Sequence, residues 1–266
     1  MKSIYNFIVK MKKVGLVLSG GGVRGFAHLG FLKVLDELGI RPAVISGVSS
    51  GAIFGALYSY GYSPDKILSL AKKSSYFGVS NFLWRKEGLF SMGPIRKILF
   101  DLIPENSFDA LKIPLYINAT DILHNKTIYF SSGELIDPIV ASASFPVLFQ
   151  AVAIENSKFV DGGLLDNFPI EPLVDHCHKI IGSHVNRLGS NDEKNIQFSK
   201  TQMIERCFQL AIANSVYSKV NKCDVFVEPA LNGFGLFKMR NMERIFEIGY
   251  HAALEQKQNI ERLLEI

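Results

Sequence analysis

The chain has 266 residues, of which 48% are hydrophobic, so it contains enough apolar material for one sizeable core. The 29 lysines and arginines only slightly outnumber the 25 acidic residues and are scattered along the sequence, which excludes nucleic acid as an expected partner. Three cysteines at no metal-ligand spacing indicate free thiols in a reducing compartment and exclude a small disulfide-bonded domain.

The start of the chain and its longest apolar runs indicate the cellular location of the protein. Lysines flank a short apolar stretch at 4–9, which is too short for the hydrophobic region of a signal peptide and has no small-residue cleavage site. No segment reaches the ~20 apolar residues that span a bilayer. We expect a cytoplasmic protein whose surface can still contact a membrane.

Apolar runs punctuated by glycine predict strands and helices in alternation. A strand at 14–19 leads through a glycine-rich loop at 20–25 into a helix at 26–38, and a strand at 43–46 precedes a helix at 52–60. Further strands are predicted at 115–120, 127–130, 179–185 and 224–228, and further helices at 134–144, 200–220 and 244–264. No linker or repeat interrupts this pattern. We therefore predict a single α/β domain over 1–266, with a mostly parallel central sheet covered by helices on both faces.

A serine between two glycines lies where the second predicted strand turns into a helix. The sequence Gly47-Val48-Ser49-Ser50-Gly51 has the G-x-S-x-G form of a nucleophile elbow, in which the glycines avoid Cβ clashes in a sharp strand-to-helix turn. The unpaired N–H groups and the dipole at the helix start also favour an anion there. Ser49 is therefore the candidate nucleophile, and Gly47 and Gly51 are the candidate elbow residues.

The glycine-rich loop at 20–25 has two interpretations. Its G-x-G-x-x-G spacing is typical of dinucleotide binding, but that function requires an acidic residue about 20 positions later, where this chain has the serine elbow. The favoured alternative is an oxyanion site, because uncovered N–H groups at a helix start converge on negative charge. Its candidate residues are Gly20, Gly21, Gly22, Arg24 and Gly25. Arg24 either adds positive charge or holds the loop by bonding backbone carbonyls.

A nucleophilic serine needs a base, and histidine is the usual choice. No local motif surrounds any of the six histidines, which are His28, His124, His176, His178, His184 and His251. The more specific candidate for the base is Asp161, which follows a strand-like segment at 157–160 and precedes Gly162 and Gly163. Asp-Gly is also common in turns, so this motif alone leaves the role of Asp161 open.

Taken together, the three motifs resemble those of the patatin-like phospholipase family, in which G-G-G-x-[RK]-G, G-x-S-x-G and D-G-[AG] follow in this order. The sequence A-S-A-S-F-P at 141–146 also resembles a segment that these proteins carry between the elbow and the aspartate. The resemblance covers about 14–173 and implies a patatin-like fold of three α/β/α layers. Residues 174–266 are expected to add helices and strands that complete it.

The resemblance implies a lipid acyl hydrolase that works without a catalytic histidine, metal or cofactor. Ser49 would attack the carbonyl of a lipid or other acyl ester, Asp161 would accept its proton, and the N–H groups of Gly21 and Gly22 would hold the oxyanion. Water activated by Asp161 would then release the fatty acid. A free aspartate, with a pKa near ~4, is a poor base at neutral pH, so we expect burial to raise the pKa of Asp161.

Three other functions stay open at the level of sequence. An acyltransferase would pass the same Ser49 acyl group to another acceptor. An α/β-hydrolase would use Ser49, an aspartate and either His184 or His251. A non-catalytic lipid-binding protein would keep the fold without turnover. Aromatic residues at 76–90 also have two interpretations, a lid or acyl-chain wall at a lipid interface, or the packing of a loop on the core.

Overall fold

The computed structural model describes residues 13–73, 91–146, 148–188, 200–236 and 241–263, so the apolar stretch at 4–9 and the aromatic segment at 76–90 lie outside the described residues. Within those ranges, eight strands form one sheet. The strands are β1 (Val14–Leu18), β2 (Val44–Gly47), β3 (Leu115–Asp121), β4 (Lys126–Phe130), β5 (Val152–Ile154), β6 (Ser157–Asp161), β7 (Lys179–Ser183) and β8 (Val225–Val227). Their order is β5-β6-β3-β2-β1-β7-β8, and β4 pairs with β3.

The sheet has a parallel part and an antiparallel part. Strands β3, β2, β1, β7 and β8 run parallel, and every residue of β1 is buried, as expected for a strand that is covered on both faces. Strands β4, β5 and β6 are antiparallel to their neighbours. The predicted α/β fold with its parallel core is confirmed, whereas the short strand β5 was not predicted.

Nine helices lie within the described ranges. They are α1 (Phe26–Glu37), α2 (Ser50–Tyr60), α3 (Pro64–Lys73), α4 (Gly93–Leu102), α5 (Ile136–Ser142), α6 (Glu171–Val174), α7 (Lys200–Tyr217), α8 (Met242–Glu255) and α9 (Lys257–Arg262). Helices α3, α4 and α6 were not predicted, and the single helix predicted at 244–264 is broken at Gln256 into α8 and α9. None of the helices described is long and apolar enough to cross a membrane.

Neighbouring residues of the central strands face opposite layers of the molecule. Leu16, Leu18 and Ile45 belong to a large core that also contains residues of α1, α2 and α8. Val17 and Val44 belong to a smaller core on the other face, with residues of α6 and α7. The alternation follows from the period of two along a strand. Helices therefore cover both faces of the sheet, and the predicted three layers are confirmed.

Two glycines allow the C-terminal helix α8 to pack closely against α1. A Cβ at Gly30 would lie 2.5 Å from the backbone nitrogen of Tyr250, and a Cβ at Gly249 would lie 2.5 Å from the Cα of Ala27. Any larger residue at either position would force the two backbones apart. The C-terminal helix, whose role the sequence left open, thus completes the layer beside α1.

The topology brings several loops to one edge of the sheet. The parallel strands β1 and β2 end there, and they lead into the glycine-rich loop and the Ser49 turn. Gly47 of β2 pairs with Ile117 of β3, and Asp161 at the end of β6 pairs with Ala119, slightly further along β3. The antiparallel strand β6 therefore places Asp161 at the edge of the sheet at which Ser49 lies.

Candidate active site

Ser49 occupies the sharp turn between β2 and α2. Its φ of 54° and ψ of −120° lie in a region that non-glycine residues rarely adopt, at a cost of order 1–3 kcal/mol. A Cβ at Gly47 would lie 2.6 Å from the carbonyl oxygen of Gly51, and a Cβ at Gly51 would lie 2.7 Å from the carbonyl oxygen of Ser19. Glycine at these two positions is what lets the strained turn close.

The segment at 141–146 holds the backbone of both candidate catalytic residues. The N–H of Ser49 donates a hydrogen bond of 2.8 Å to Oγ of Ser142. The N–H of Asp161 donates one of 2.9 Å to the carbonyl oxygen of Ser144. Both of these serines are fully buried. Sequence reasoning singled out this segment only as part of a family resemblance and did not predict its contacts.

Asp161 is buried directly against the Ser49 side chain, with an exposed fraction of 4%. Its Oδ1 accepts a hydrogen bond of 2.8 Å from the N–H of Gly163, and the Ser49 hydroxyl lies beside the carboxylate and favours its charged form. Burial raises the pKa of Asp161 from 3.8 to about 7, and the Gly163 hydrogen bond and the nearby Ser49 hydroxyl oppose this shift only in part. The carboxyl can therefore both accept and release a proton near neutral pH.

The two glycines after Asp161 allow close approach of neighbouring groups. A Cβ at Gly162 would collide with the carbonyl group of Asn118 on β3. A Cβ at Gly163 would lie 2.5 Å from Oδ1 of Asn167 and 3.1 Å from the Asp161 carboxylate. Side chains at these positions would push Asp161 out of its place, so the D-G-G motif has a steric basis here.

The glycine-rich loop presents backbone N–H groups beside Ser49. Among the described residues, no group accepts a hydrogen bond from the N–H of Gly20, Gly21 or Gly22. Gly22 has a φ of +54°, and a Cβ there would collide with the carbonyl of Leu236. The Gly21 carbonyl accepts a hydrogen bond of 3.1 Å from the N–H of Arg24, which closes the loop into a tight turn. Uncovered N–H groups next to a nucleophile are what an oxyanion site needs.

Arg24 is buried, and it bonds to the backbone as one of the two interpretations from sequence expected. Its Nε donates a hydrogen bond of 2.7 Å to the carbonyl oxygen of Phe234. Gly25, the last residue of the loop, lies against the start of α2, where a Cβ would come within 2.5 Å of Oγ of Ser50. Both residues shape the loop from outside the cavity that Ser49 lines, because neither of them belongs to its lining.

A cavity of about 140 Å³ extends from Ser49 into the protein. At its polar end lie Gly20, Gly21, Gly22, Ser49 and Asp161. Its other walls are largely apolar and come from α1, α2, α4 and α7 and from residues outside these helices. They include Val23, Phe26, Ile53, Phe54, Met92, Ile95, Ala143, Phe145, Phe149, Phe208, Ile212 and Leu236. An apolar pocket with a few convergent polar groups at one end is typical of a site that binds an apolar ligand and reacts with its polar end.

Two polar residues of the cavity wall, Asn167 and Asn186, were missed by sequence reasoning. Asn167 follows Asp161 closely in the sequence, and Asn186 lies just after β7. Both are almost fully buried. Buried amides beside a reactive centre need hydrogen-bond partners, and their partners lie in the glycine-rich loop.

The histidines that a Ser-His-Asp triad would use lie elsewhere. His184 is buried with its Nδ1 2.8 Å from Oε1 of Glu228, and His251 is exposed on α8. His28 bonds to Ser183 and to the carbonyl of Ser19, and burial lowers its pKa to about 4. No histidine of the described chain lines the cavity. This arrangement gives no support to the α/β-hydrolase alternative.

The family model for patatin-like phospholipases matches residues 16–174, which is more than half of the chain. The chain belongs to the patatin-like phospholipase family. The match contains all three motifs, so the resemblance noted in the sequence is confirmed. It ends with α6, and β7, β8 and the later helices of this patatin-like chain lie beyond it.

Curated relatives of this patatin-like chain include fungal lysophospholipases. Lysophospholipase nte1 of Aspergillus fumigatus is 27% identical over 276 residues, covering 90% of this chain and 18% of the relative. Lysophospholipase NTE1 of Kluyveromyces lactis is 25% identical over 269 residues, covering 89% of this chain and 18% of the relative. The chain thus spans less than a fifth of the length of these relatives.

Solved structures share the fold at lower sequence identity. VipD from Legionella pneumophila has a TM-score of 0.52 and 15% identity, covering 93% of this chain and 67% of that chain. A chain in the complex of full-length SpcU with full-length ExoU from Pseudomonas aeruginosa has a TM-score of 0.51 and 15% identity, covering 96% of this chain and 53% of its own. These likenesses support the patatin-like α/β fold.

Proposed function

We propose that this patatin-like chain is a lipid acyl hydrolase that forms an acyl-Ser49 intermediate and uses Asp161 as its base. The observation that carries the proposal is the buried Asp161 carboxyl, which has a pKa of about 7 and lies beside the hydroxyl of a strained serine in the same cavity. The family match and the lysophospholipase relatives support the reaction class.

In the first step, Ser49 Oγ attacks the acyl carbonyl carbon while its proton passes to the Asp161 carboxylate. The carbonyl oxygen becomes an oxyanion, which accepts hydrogen bonds from the N–H groups of Gly21 and Gly22. Collapse of this intermediate breaks the ester bond, and the departing alcohol takes the proton from Asp161. One oxyanion donor typically contributes ~3 kcal/mol of transition-state stabilisation, so the loop matters as much as the base.

In the second step, water attacks the acyl-Ser49 ester and gives a proton to Asp161. The same N–H groups hold the second oxyanion. Its collapse releases the fatty acid, and Ser49 Oγ regains the proton from Asp161. A carboxyl with a pKa of about 7 suits both directions of proton transfer near neutral pH.

The shape of the cavity supports a substrate with an apolar acyl chain. Aromatic and aliphatic side chains line it beyond Ser49, so the acyl chain lies there while the ester carbonyl is at the glycine loop. Leu164 and Leu165, which follow Gly163, expose 43% and 47% of their surface. These leucines add an apolar surface close to Asp161 and support contact of the enzyme with a lipid surface.

Hydrolysis of p-nitrophenyl esters of increasing acyl length tests the proposal. The wild type should prefer longer chains, and both Ser49→Ala and Asp161→Asn should lose most of the turnover. Matched controls are Ser59→Ala, a buried serine near the far end of α2, and Asp121→Asn, a buried aspartate at the end of β3. Both controls should retain wild-type rates.

The outcome separates hydrolase from the other functions considered. Transfer of the acyl group to an added alcohol or thiol, faster than to water, would replace hydrolase with acyltransferase. Binding of a fatty acyl ester without turnover by the folded wild type would favour a lipid-binding protein. Full activity of Asp161→Asn would remove this aspartate from the proposed mechanism.

A further inference from the structure

The carbonyl group of Gly20 is held by several side chains at the base of the glycine-rich loop. It accepts a hydrogen bond of 2.6 Å from Nδ2 of Asn186, a longer one of 3.4 Å from Nδ2 of Asn167, and one of 3.1 Å from Oγ of Ser19. Ser19 Oγ is itself fixed, because it accepts a hydrogen bond of 3.1 Å from the N–H of Val185. All of these side chains are buried, so the Gly20 carbonyl is fixed without help from bulk water.

The planar peptide bond transmits this anchoring to the N–H of Gly21. In a trans peptide the C=O of Gly20 and the N–H of Gly21 point in opposite directions. The carbonyl points toward the two asparagines, so the N–H of Gly21 points away from them, and no described group accepts its hydrogen bond. Hydrogen bonds to a peptide carbonyl also polarise the group and strengthen its N–H as a donor. The anchored carbonyl thus prepares the opposite end of the peptide for an anion.

The orientation of the Asn186 side chain shows which half of its amide is used. A carbonyl oxygen can only accept, so the amide group of Asn186 faces Gly20 through Nδ2. Its Oδ1 is then left buried without a hydrogen-bond partner among the described residues. An unpaired buried acceptor is unfavourable and calls for an explanation. The explanation is that the hydrogen bond from Nδ2 to the Gly20 carbonyl holds the side chain in the orientation that leaves Oδ1 unpaired.

We propose that Asn186, assisted by Asn167, is a positioning residue that orients and polarises the Gly21 N–H as an oxyanion donor. This inference rests on the proposed acyl-Ser49 chemistry and assigns its oxyanion site to side chains outside the three sequence motifs. Asn167 belongs to the loop after Asp161, and Asn186 follows β7. The pair therefore connects the glycine-rich loop to two other strand ends at the same edge of the sheet.

Substitutions that remove the donor test this role. In Asn186→Asp the side chain keeps its shape, but a carboxylate repels the Gly20 carbonyl, and in Asn186→Ala the donor is absent. Since loss of a whole oxyanion donor lowers kcat by about 100-fold to 1000-fold, we expect these variants to lower kcat by about tenfold to 100-fold, with KM nearly unchanged. Asn167→Ala, which removes the longer hydrogen bond, should have a smaller effect in the same direction.

A comparison of p-nitrophenyl esters with the matching thionoesters separates positioning from general loss of structure. Sulfur accepts hydrogen bonds poorly, so an enzyme with a well-placed oxyanion donor prefers the ester strongly. The ratio of kcat/KM for ester over thionoester should fall at least threefold in Asn186→Asp and Asn186→Ala.

Asn118→Ala is the matched control. Asn118 is also buried, donates to a backbone carbonyl through Nδ2, and has an unpaired Oδ1, but its partner is Asp166. This variant should lose stability and keep the wild-type ester to thionoester ratio.

The outcomes distinguish this inference from the proposed function. A wild-type ratio in folded Asn186 variants, with Ser49-dependent hydrolysis intact, would overturn only the positioning role. Ester hydrolysis that does not depend on Ser49, or an inactive wild type, would overturn both. If the Asn186 variants do not fold, Asn167→Ala and Ser19→Ala carry the same test, and wild-type ratios in both would overturn the inference.

Discussion

Asp161→Asn should make the folded protein more stable than the wild type at pH 8, although it removes the proposed base. Burial raises the pKa of Asp161 from 3.8 to about 7, so the folded state binds this proton more tightly than the unfolded state does. The free energy of unfolding of the wild type therefore falls as the pH rises between these two values, and it levels off above them. Asparagine has no such proton, and its Oδ1 can still accept the hydrogen bond from Gly163.

The size of the effect follows from the two pKa values. The pKa of Asp161 is 3.8 in the unfolded chain and about 7 in the folded protein. Titration of this carboxyl therefore lowers the wild-type unfolding free energy by about 2 to 3 kcal/mol between pH 5 and pH 8. The stability difference between Asp161→Asn and the wild type should grow by the same amount over that interval. In a domain of this size it corresponds to roughly 5 to 10 °C in Tm.

Urea unfolding of the wild type and Asp161→Asn at pH 5 and pH 8 measures this difference. Asp121→Asn is the matched control, because burial of Asp121 is outweighed by hydrogen bonds from Ser157, His124 and backbone N–H groups that hold its pKa well below its usual range. Because its pKa is lowered, Asp121 makes its full contribution to the unfolding free energy already at pH 5. Asp121→Asn should therefore be destabilised equally at pH 5 and pH 8. A difference between Asp161→Asn and the wild type that does not change with pH would refute a buried carboxyl titrating near neutrality.

The same site has three further measurable consequences. The kcat/KM of ester hydrolysis should rise tenfold per pH unit below about pH 7 and then level off, because only ionised Asp161 accepts the Ser49 proton. A flat pH profile of kcat/KM from pH 5 to pH 8 would contradict this prediction. Ser142→Ala removes the acceptor of the Ser49 N–H and should lower the unfolding free energy by about 1 to 3 kcal/mol and also lower kcat. Unchanged urea unfolding and kcat would argue against this anchor. Ile53→Trp narrows the cavity and should shift the preferred p-nitrophenyl ester to a shorter acyl chain, and an unaltered chain-length profile would show that the acyl group lies elsewhere.

Sequence could predict the parts of the site that depend on local structure. A serine held at positive φ needs glycines at fixed distances, and the loop after β1 needs residues without Cβ atoms. Such steric demands act within a few residues and leave short motifs. The burial of Asp161 was also predictable, since apolar residues flank it on both sides in the sequence.

The remaining parts depend on contacts between distant segments. Ser142 meets Ser49 only because α5 packs next to the β2–α2 turn, and Asn186 meets Gly20 only because β7 pairs with β1. No local sequence pattern around Asn186 or Ser142 indicates which distant residue it contacts. Strand β5 was missed for a similar reason, because it has three residues and its pairing depends on the neighbouring strand β6.

The break between α8 and α9 also has no strong local signal. Gln256 is neither glycine nor proline, and the apolar residues on both sides continue a helical pattern. Ile260 of α9 belongs to the same core as Ala253 of α8. Both helices therefore pack onto one core, a tertiary contact that the sequence does not display.

The most direct measurement is labelling with a fluorophosphonate probe, followed by intact mass and peptide mapping. The wild type should carry one adduct, and it should map to Ser49 in the turn between β2 and α2. Ser49→Ala should carry none, while Asp161→Asn should label much more slowly because the hydroxyl lacks its base. Undiminished labelling of Ser49→Ala would contradict the account, because the reactive nucleophile would then be another residue.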